Sequence, residues 1–473
     1  MNSTNPTKTS LPALWAMVVG SMVGAGIYSL PRNFALATGP AGAIVSWCIA
    51  GGGMYLLARI IQYLAEIRPD LDSGIFAYAR DGFGDYAGFI SAFGYWMAGC
   101  FGNVSYWVLI KSTLGTFIPV FGDGNTLTAI AVSSVGIWCF HWMLLRGVRQ
   151  ATLINAILTV IKVLPIFAFV GILVFKIDPD VFASNWQAGN TSLGSQVSAT
   201  MLVTVFVFLG IEGASVYSRH ARSRKDVGIA TLAGFAFVLL LLVLVTLLPF
   251  GVLEQADIAG MRQPSMAAVL GAVAGPAGAA FISAALILSV LGAYLAWSLI
   301  CAEVVYATAL AGGLPKAFAH LNAKQLPANA IWLTSAVVQA FVISTYWSSD
   351  AFSLMLRMTS TMALIPYLLV ALFGLKVVAR QSSDADPDTQ RGRTARYGIA
   401  IGATVYTAFL LYTCGIDLML MAALLYAPGS LLYAWARHRH GQPLFSRREW
   451  CAFAVVMGCA GVAIVTMTGM TLR

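Results

Sequence analysis

The chain has 473 residues, of which 59% are hydrophobic and only 10% charged, with a formal net charge of +9. A soluble domain carries about 25% charged residues, so this composition excludes a soluble globular protein and describes an integral membrane one. The basic balance is not a nucleic-acid signal, because the positive residues are distributed by loop rather than gathered into a patch.

The polar stretch "MNSTNPTKTS" (residues 1–10) leads directly into an apolar segment that lacks the cleavage site of a removable signal peptide, so the first segment is expected to be retained. Runs of about 20 apolar residues are candidate membrane spans. About thirteen are expected, over 11–34, 41–66, 83–113, 125–145, 150–176, 195–217, 227–250, 271–310, 328–347, 350–379, 397–413, 418–436 and 449–470. The eighth is long enough to include an amphipathic cytoplasmic extension. With a cytoplasmic N-terminus, nearly all Lys and Arg residues outside the spans fall on the cytoplasmic side. Only Arg32, Lys176, Arg262 and Arg473 fall opposite, a strong positive-inside asymmetry.

Two spans are interrupted by glycine. "VVGSMVGAGIYSLP" holds Gly20, Gly24 and Gly26, and "VTVFVFLGIEGAS" holds Gly210 and Gly213 beside Glu212. Glycine in a helix interior costs about 1 kcal/mol relative to alanine. One reading is close helix packing through a GxxxG pair. The other is a broken helix whose bare amides and carbonyls hold a ligand. If the first ten spans form two halves of five, both interrupted segments open their halves, the arrangement that marks a secondary transporter's binding site. Amides at one break suit a carboxylate, and carbonyls at the other suit an ammonium, which together describe an amino-acid site. Of the charges inside spans, Arg59 and Lys111 can reach the interface. Lys162 sits near the middle of the fifth span, where a structural ion pair and a functional ammonium are both open. Glu212 is read as functional, against a carboxylate satisfied by a neighbouring helix. No phosphate loop GxxxxGK[ST] is present, which argues against an ATP-driven pump. The seven cysteines are scattered without a CxxC pair, so no metal site or disulfide framework is expected, and no cofactor. No nucleophile–base pair stands out, so an enzyme is not expected.

In order along the chain, "GSMVGAGIYSLP", "AEIRPDLDSGIFAYARDGFGDYAGF", "GYWMAGCFGNVSYW", "LRGVRQA", "FVFLGIEGASVYSRHARSRKDVG" and "AGGLPKAFAHLNAKQLPANAIWL" resemble the basic amino acid/polyamine antiporters of the amino acid–polyamine–organocation superfamily. The resemblance spans nearly all of the first ten segments and weakens beyond. It implies an all-α membrane fold of inverted 5+5 repeats with broken first and sixth spans. The organisation would be a cytoplasmic tail (1–10), a transporter core (11–379) and accessory spans (380–473). It implies alternating-access exchange of L-arginine for L-ornithine in a bacterial inner membrane, with a homodimer common in the family. A proton-coupled symporter of cationic amino acids, or an arginine/agmatine or lysine/cadaverine exchanger, is the alternative.

Carried over from an arginine/agmatine exchanger of that family, Met22, Val23, Gly24, Ala25 and Gly26 would cradle the substrate carboxylate, with Ala25 in place of a serine. The carbonyls of Phe206 and Leu209 would accept the α-ammonium. Tyr95, Ala98, Gly99 and Asn103 fall where gating and the guanidinium end are handled. Tyr294 replaces the tryptophan that stacks on the guanidinium, and Phe206 replaces another tryptophan. Thr359 and Tyr367 match a binding serine and a gating tyrosine, and Glu212 a gating acid. Lys162 matches a lysine of proton-coupled relatives, where others place a sodium ion.

Overall fold

A computed structural model of the chain describes residues 10–68, 70–71, 75–147, 152–186, 191–211, 224–380, 387–439 and 441–471. Lipid offers no water to backbone N–H and C=O groups, and a helix is the form in which one segment satisfies its own. The described residues accordingly form helices and short 3-10 turns with no strand. In chain order they are α1 (Leu11–Met22), α2 (Leu30–Ala35), α3 (Pro40–Ile67), α4 (Ile75–Phe83), α5 (Asp85–Phe117), α6 (Leu127–Leu145), α7 (Thr152–Val174) and α8 (Pro179–Ser184). There follow α9 (Leu193–Phe208), α10 (Arg224–Leu247), α11 (Gln255–Gly260), α12 (Ser265–Leu310), α13 (Ala328–Ser344), α14 (Ala351–Arg380), α15 (Pro387–Arg439) and α16 (Arg447–Thr471).

Among the described residues, eight helices are long and apolar enough to cross a membrane, and nine if the bent pair Leu14–Met22 and Ala25–Ala35 counts as one span. The chain is therefore a multi-pass membrane protein. Several expected segments have a different internal form. The eighth begins at Ser265 rather than near residue 271 and turns at Gly275 (φ 77°), where Pro276 has no N–H to continue the ladder. The eleventh and twelfth lie in one helical run, Pro387–Arg439, interrupted at Gly415 (φ 72°). The third is preceded by a separate short helix, α4, with Gly84 between the two.

The chain divides into two compact units that interleave along the sequence: Met1–Pro69 with Arg149–Ala293, and Asp70–Val148 with Tyr294–Arg473. In the first, α1 packs on α10 and α7, α3 packs on α9, and α2 lies on α11. A small apolar cluster of Ala35, Phe250 and Ile258 lies within it, packed by Phe182, Leu253 and Ala259. In the second, α14 packs along both α5 and α15, α13 packs on α6, and α16 packs on α15. Helix starts follow local chemistry: Thr126 accepts from the Ala129 amide at α6 and Ser192 from the Ser195 amide at α9, as N-cap hydroxyls do.

Candidate functional site

The first interrupted segment is a true break. α1 ends at Met22, Val23 and Gly24 are extended (φ −77°, ψ 97° and φ −124°, ψ −157°), and the chain re-enters as a 3-10 turn at Ala25. The two arms are bent by 43°. The amides of Ala25 and Gly26 begin a new turn, so no carbonyl of a preceding turn reaches them. All of Met22, Val23, Ala25 and Gly26 are buried. Gly26 faces the end of α9 so closely that a Cβ there would lie 2.6 Å from Val207 Cγ1 and 2.8 Å from Phe206 Cδ1.

At the second interrupted segment the structure describes the end of α9, and residues 212–223 lie outside those described. The helix stops at Phe208, Leu209 turns away with ψ 133°, and Gly210 takes φ 102°. Only glycine adopts that conformation without penalty, and a Cβ on Gly210 would sit 2.5 Å from the Ser21 carbonyl oxygen. The Ser21 hydroxyl in turn donates to the Gly210 carbonyl at 3.1 Å, so the end of α1 and the end of α9 are joined within the first unit. Of the last-turn carbonyls, Val205 accepts from the Leu209 amide and Phe208 from the Ile211 amide. Glu212 lies outside the described residues.

Lys162 on α7 is 7% exposed and donates from Nζ to the Gly20 carbonyl at 3.2 Å. In an unbroken helix that carbonyl would take the Gly24 amide, four residues on. The ammonium thus fills a vacancy made by the break, at the negative end of α1 where a cation is favoured. Among the described residues its partner is a backbone carbonyl, in place of the carboxylate that an ion pair would require.

The remaining candidates lie in the second unit, on α5, α12 and α14. Asn103 on α5 is fully buried; its Nδ2 donates to Ser298 Oγ at 3.2 Å, while its Oδ1 has no hydrogen-bond partner among the described residues. A buried unpaired amide oxygen is costly unless a donor arrives. Tyr294, one turn before Ser298 on α12, is 2% exposed, with Trp107 and Phe140 set edge-on to its ring at centroid distances of 5.4 and 5.3 Å. Thr359 on α14 donates to its own helix at Met355, and its Cγ2 lies 3.8 Å from where a Cβ on Gly102 would stand. Gly99 admits Cys301, whose Sγ would be 2.3 Å from a Cβ there. Ala98 is buried beside it, Tyr95 meets Trp297 at 5.9 Å, and Tyr367 is fully buried on α14. Sequence reasoning did not single out Ser298, Trp107 or Phe140. The i, i+4 spacing of Asn103 and Trp107, and of Tyr294 and Ser298, was the available signal. No group of three or more His, Cys, Asp or Glu capable of holding a metal ion occurs among the described residues.

Comparison with known proteins agrees with this architecture. The amino acid permease family matches residues 10–436. An arginine/ornithine antiporter of Pseudomonas aeruginosa is 45% identical, over 98% of this chain and 98% of its own. An L-lysine transport protein of Corynebacterium glutamicum is 38% identical over 98% of this chain and 96% of its own. An arginine/agmatine antiporter of Chlamydia felis is 37% identical over 98% and 97%. Family match and full-length similarity coincide, and the chain belongs to the amino acid permease family.

Proposed function

We propose that the chain is a secondary antiporter that exchanges L-arginine for L-ornithine by alternating access across a bacterial inner membrane. In this reading about thirteen spans, the first ten in inverted 5+5 repeats, place the N-terminus in the cytoplasm, and the core (11–379) is followed by accessory spans (380–473). The observation that carries it is the break after Met22, where a 3-10 turn starts afresh at Ala25 and Gly26 packs on the last turn of α9, which stops at Phe208. Such a junction offers donors to an α-carboxylate and acceptors to an α-ammonium, the groups every amino acid shares. Met22 to Gly26 form the carboxylate cradle, and Phe206 and Leu209 supply carbonyls to the ammonium. Asn103 offers its side-chain oxygen to the distal cation of the side chain, with Tyr294 as its aromatic neighbour, and Ala98, Gly99 and Thr359 belong to the same end of the site. Tyr95, Tyr367 and Glu212 gate, and Lys162 replaces a coupling ion. The relatives carry basic amino acids or their decarboxylated products by name, which supports a cationic substrate.

The test is exchange in liposomes. Purified protein in vesicles loaded with ornithine should take up labelled arginine rapidly, and empty vesicles should hardly do so. Both substrates are cations, so an imposed membrane potential should change the rate little. Agmatine, cadaverine and putrescine lack the α-carboxylate and should compete poorly. Lys162 favours one second reading, because an ammonium on a carbonyl at a helix end can release a proton to couple transport. Arginine uptake into empty vesicles driven by a proton gradient would select it. Uptake against internal agmatine but not ornithine would select the arginine/agmatine branch.

A further inference from the structure

The second unit contains a joint that the transport reading does not use. α4 and α5 meet at Gly84, whose φ of 106° and ψ of 174° continue neither helix. The Gly82 carbonyl, at the end of α4, accepts from Lys376 Nζ of α14, a cation placed at a helix C-terminus. On the other side of the joint, the Tyr86 amide in the first turn of α5 donates to Glu449 Oε1 at 2.7 Å. The other oxygen of Glu449 accepts from the Ser446 amide at 2.7 Å, and Ser446 Oγ faces the Glu449 amide at 3.4 Å. That is the reciprocal capping box of α16, so one carboxylate caps two helices.

Two further ties cross to the same C-terminal helices. Asp85 holds Arg80 of α4 at 2.7 Å and Arg437 of α15 at 2.9 Å, one on each carboxylate oxygen. The Arg437 side chain is only 10% exposed, so this is not a freely solvated surface pair. The Tyr86 hydroxyl lies 2.8 Å from Ser430 Oγ, and its ring is closed in by Tyr433 at 5.4 Å and Phe445 at 5.2 Å. A Cβ on Gly84 would lie 2.8 Å from Glu449 Oε1, so the carboxylate and the glycine joint occupy adjoining space.

We infer that the C-terminal helices α15 and α16 latch the α4–α5 joint, making Glu449, Arg437 and Asp85 positioning residues for transport. Capping, charge and aromatic packing converge on the first turn of α5, and α5 is the helix that carries Tyr95, Ala98, Gly99 and Asn103. A rigid helix anchored at one end moves as a lever about that end, so its anchor governs how the residues along it shift during the cycle. The accessory segments thereby acquire a mechanical task distinct from substrate contact. The part of this inference that concerns turnover rests on the proposed exchange activity.

The experiment measures the joint and the cycle separately, on the full chain in lipid nanodiscs and in liposomes. Arg437→Gln should speed hydrogen exchange at the amides of residues 80–86 by about tenfold and leave exchange in α6 and α13 unchanged. In liposomes it should slow maximal arginine exchange by about fivefold with KM within about twofold, the split expected when a step other than binding is affected. Arg437→Lys keeps the charge and should retain at least about half of the parent rate. Asp85→Asn combined with Arg437→Gln should be no slower than Asp85→Asn alone, since both remove the Asp85–Arg437 pair and Asp85→Asn also weakens the Arg80 pair. Glu449→Gln provides an independent arm if Arg437→Gln does not insert. Tyr86 and Ser446 face different carboxylate oxygens, and the single amide oxygen of glutamine cannot stand at both positions, so either Tyr86 or Ser446 should lose protection. Unchanged protection at 80–86 in Arg437→Gln, together with unchanged protection at both Tyr86 and Ser446 in Glu449→Gln, overturns the latch. Increased protection loss with parental turnover overturns the positioning role, as does a raised KM at unchanged maximal rate. If the parent itself exchanges nothing, the transport reading fails, and the hydrogen-exchange arms still decide the latch.

Discussion

The two units hold candidate site residues of opposite character. In the first, the candidate chemistry is at the backbone: the break after Met22, the end of α9, the amides after Val23–Gly24, the carbonyls before Gly210, and the Gly20 carbonyl on which Lys162 is seated. In the second, it is in side chains: Asn103 with its unpaired oxygen, and Tyr294 walled by Trp107 and Phe140. Backbone groups at helix ends recognise what all amino acids share and are indifferent to the rest of the ligand. Side chains projecting from helices present a specific set of donors, acceptors and faces. Substitutions in the first unit should therefore abolish or spare transport of every substrate alike, and those in the second should change the ranking among substrates.

The largest effect should come from Gly210→Ala. It forces an L-residue into a left-handed conformation, at about 1–2 kcal/mol, and drives a methyl against the Ser21 carbonyl. Arginine and ornithine exchange should both fall by more than about tenfold, which is more than about 1.4 kcal/mol, in protein that inserts normally. Selective loss of one substrate would break the comparison. Lys162→Ala should come next. It strips the ammonium from the Gly20 carbonyl and should slow exchange of both substrates by about tenfold, whereas sodium should have no effect on the parent. A sodium requirement in the unmodified protein would remove Lys162 from this role.

In the second unit, Tyr294→Leu should weaken arginine binding by about twofold to thirtyfold, the range of about 0.5–2 kcal/mol for a cation over an aromatic ring. Tyr294→Trp should preserve or tighten it. Asn103→Ala should shift the arginine-to-ornithine affinity ratio by at least about threefold, because a guanidinium and an ammonium use one oxygen differently. Equilibrium binding by scintillation proximity would measure both, and equal losses for the two ligands would place these residues outside the selective end. The smallest effect belongs to Ala25→Ser. A hydroxyl added to the start of the 3-10 turn supplements amides already aimed at the same group, so affinity should change by less than about threefold.

Much of this protein is determined by local sequence. Its apolar runs require helices, because lipid leaves the backbone no other partner. The break after Met22 follows from "GAG", and the end of α9 follows from Leu209–Gly210, since glycine weakens a helix wherever it stands. The basic loops set the expectation for orientation. Only the tertiary structure decided what those local features meet. The partner of Lys162 was open between an ion pair and a functional ammonium; the structure supplies the Gly20 carbonyl, which is vacant because α1 stops. Asn103 came from the family resemblance alone, and its pairing with Ser298, some two hundred residues away, was not legible in the sequence. The same is true of Glu449, whose capping box with Ser446 is written in four consecutive residues, while its second hydrogen bond to Tyr86 joins the two ends of the unit. Periodicity and composition act over a few helical turns, so they determine where helices form and where they stop. Which buried polar atoms find each other depends on how distant helices pack, and that is the property of the folded chain alone.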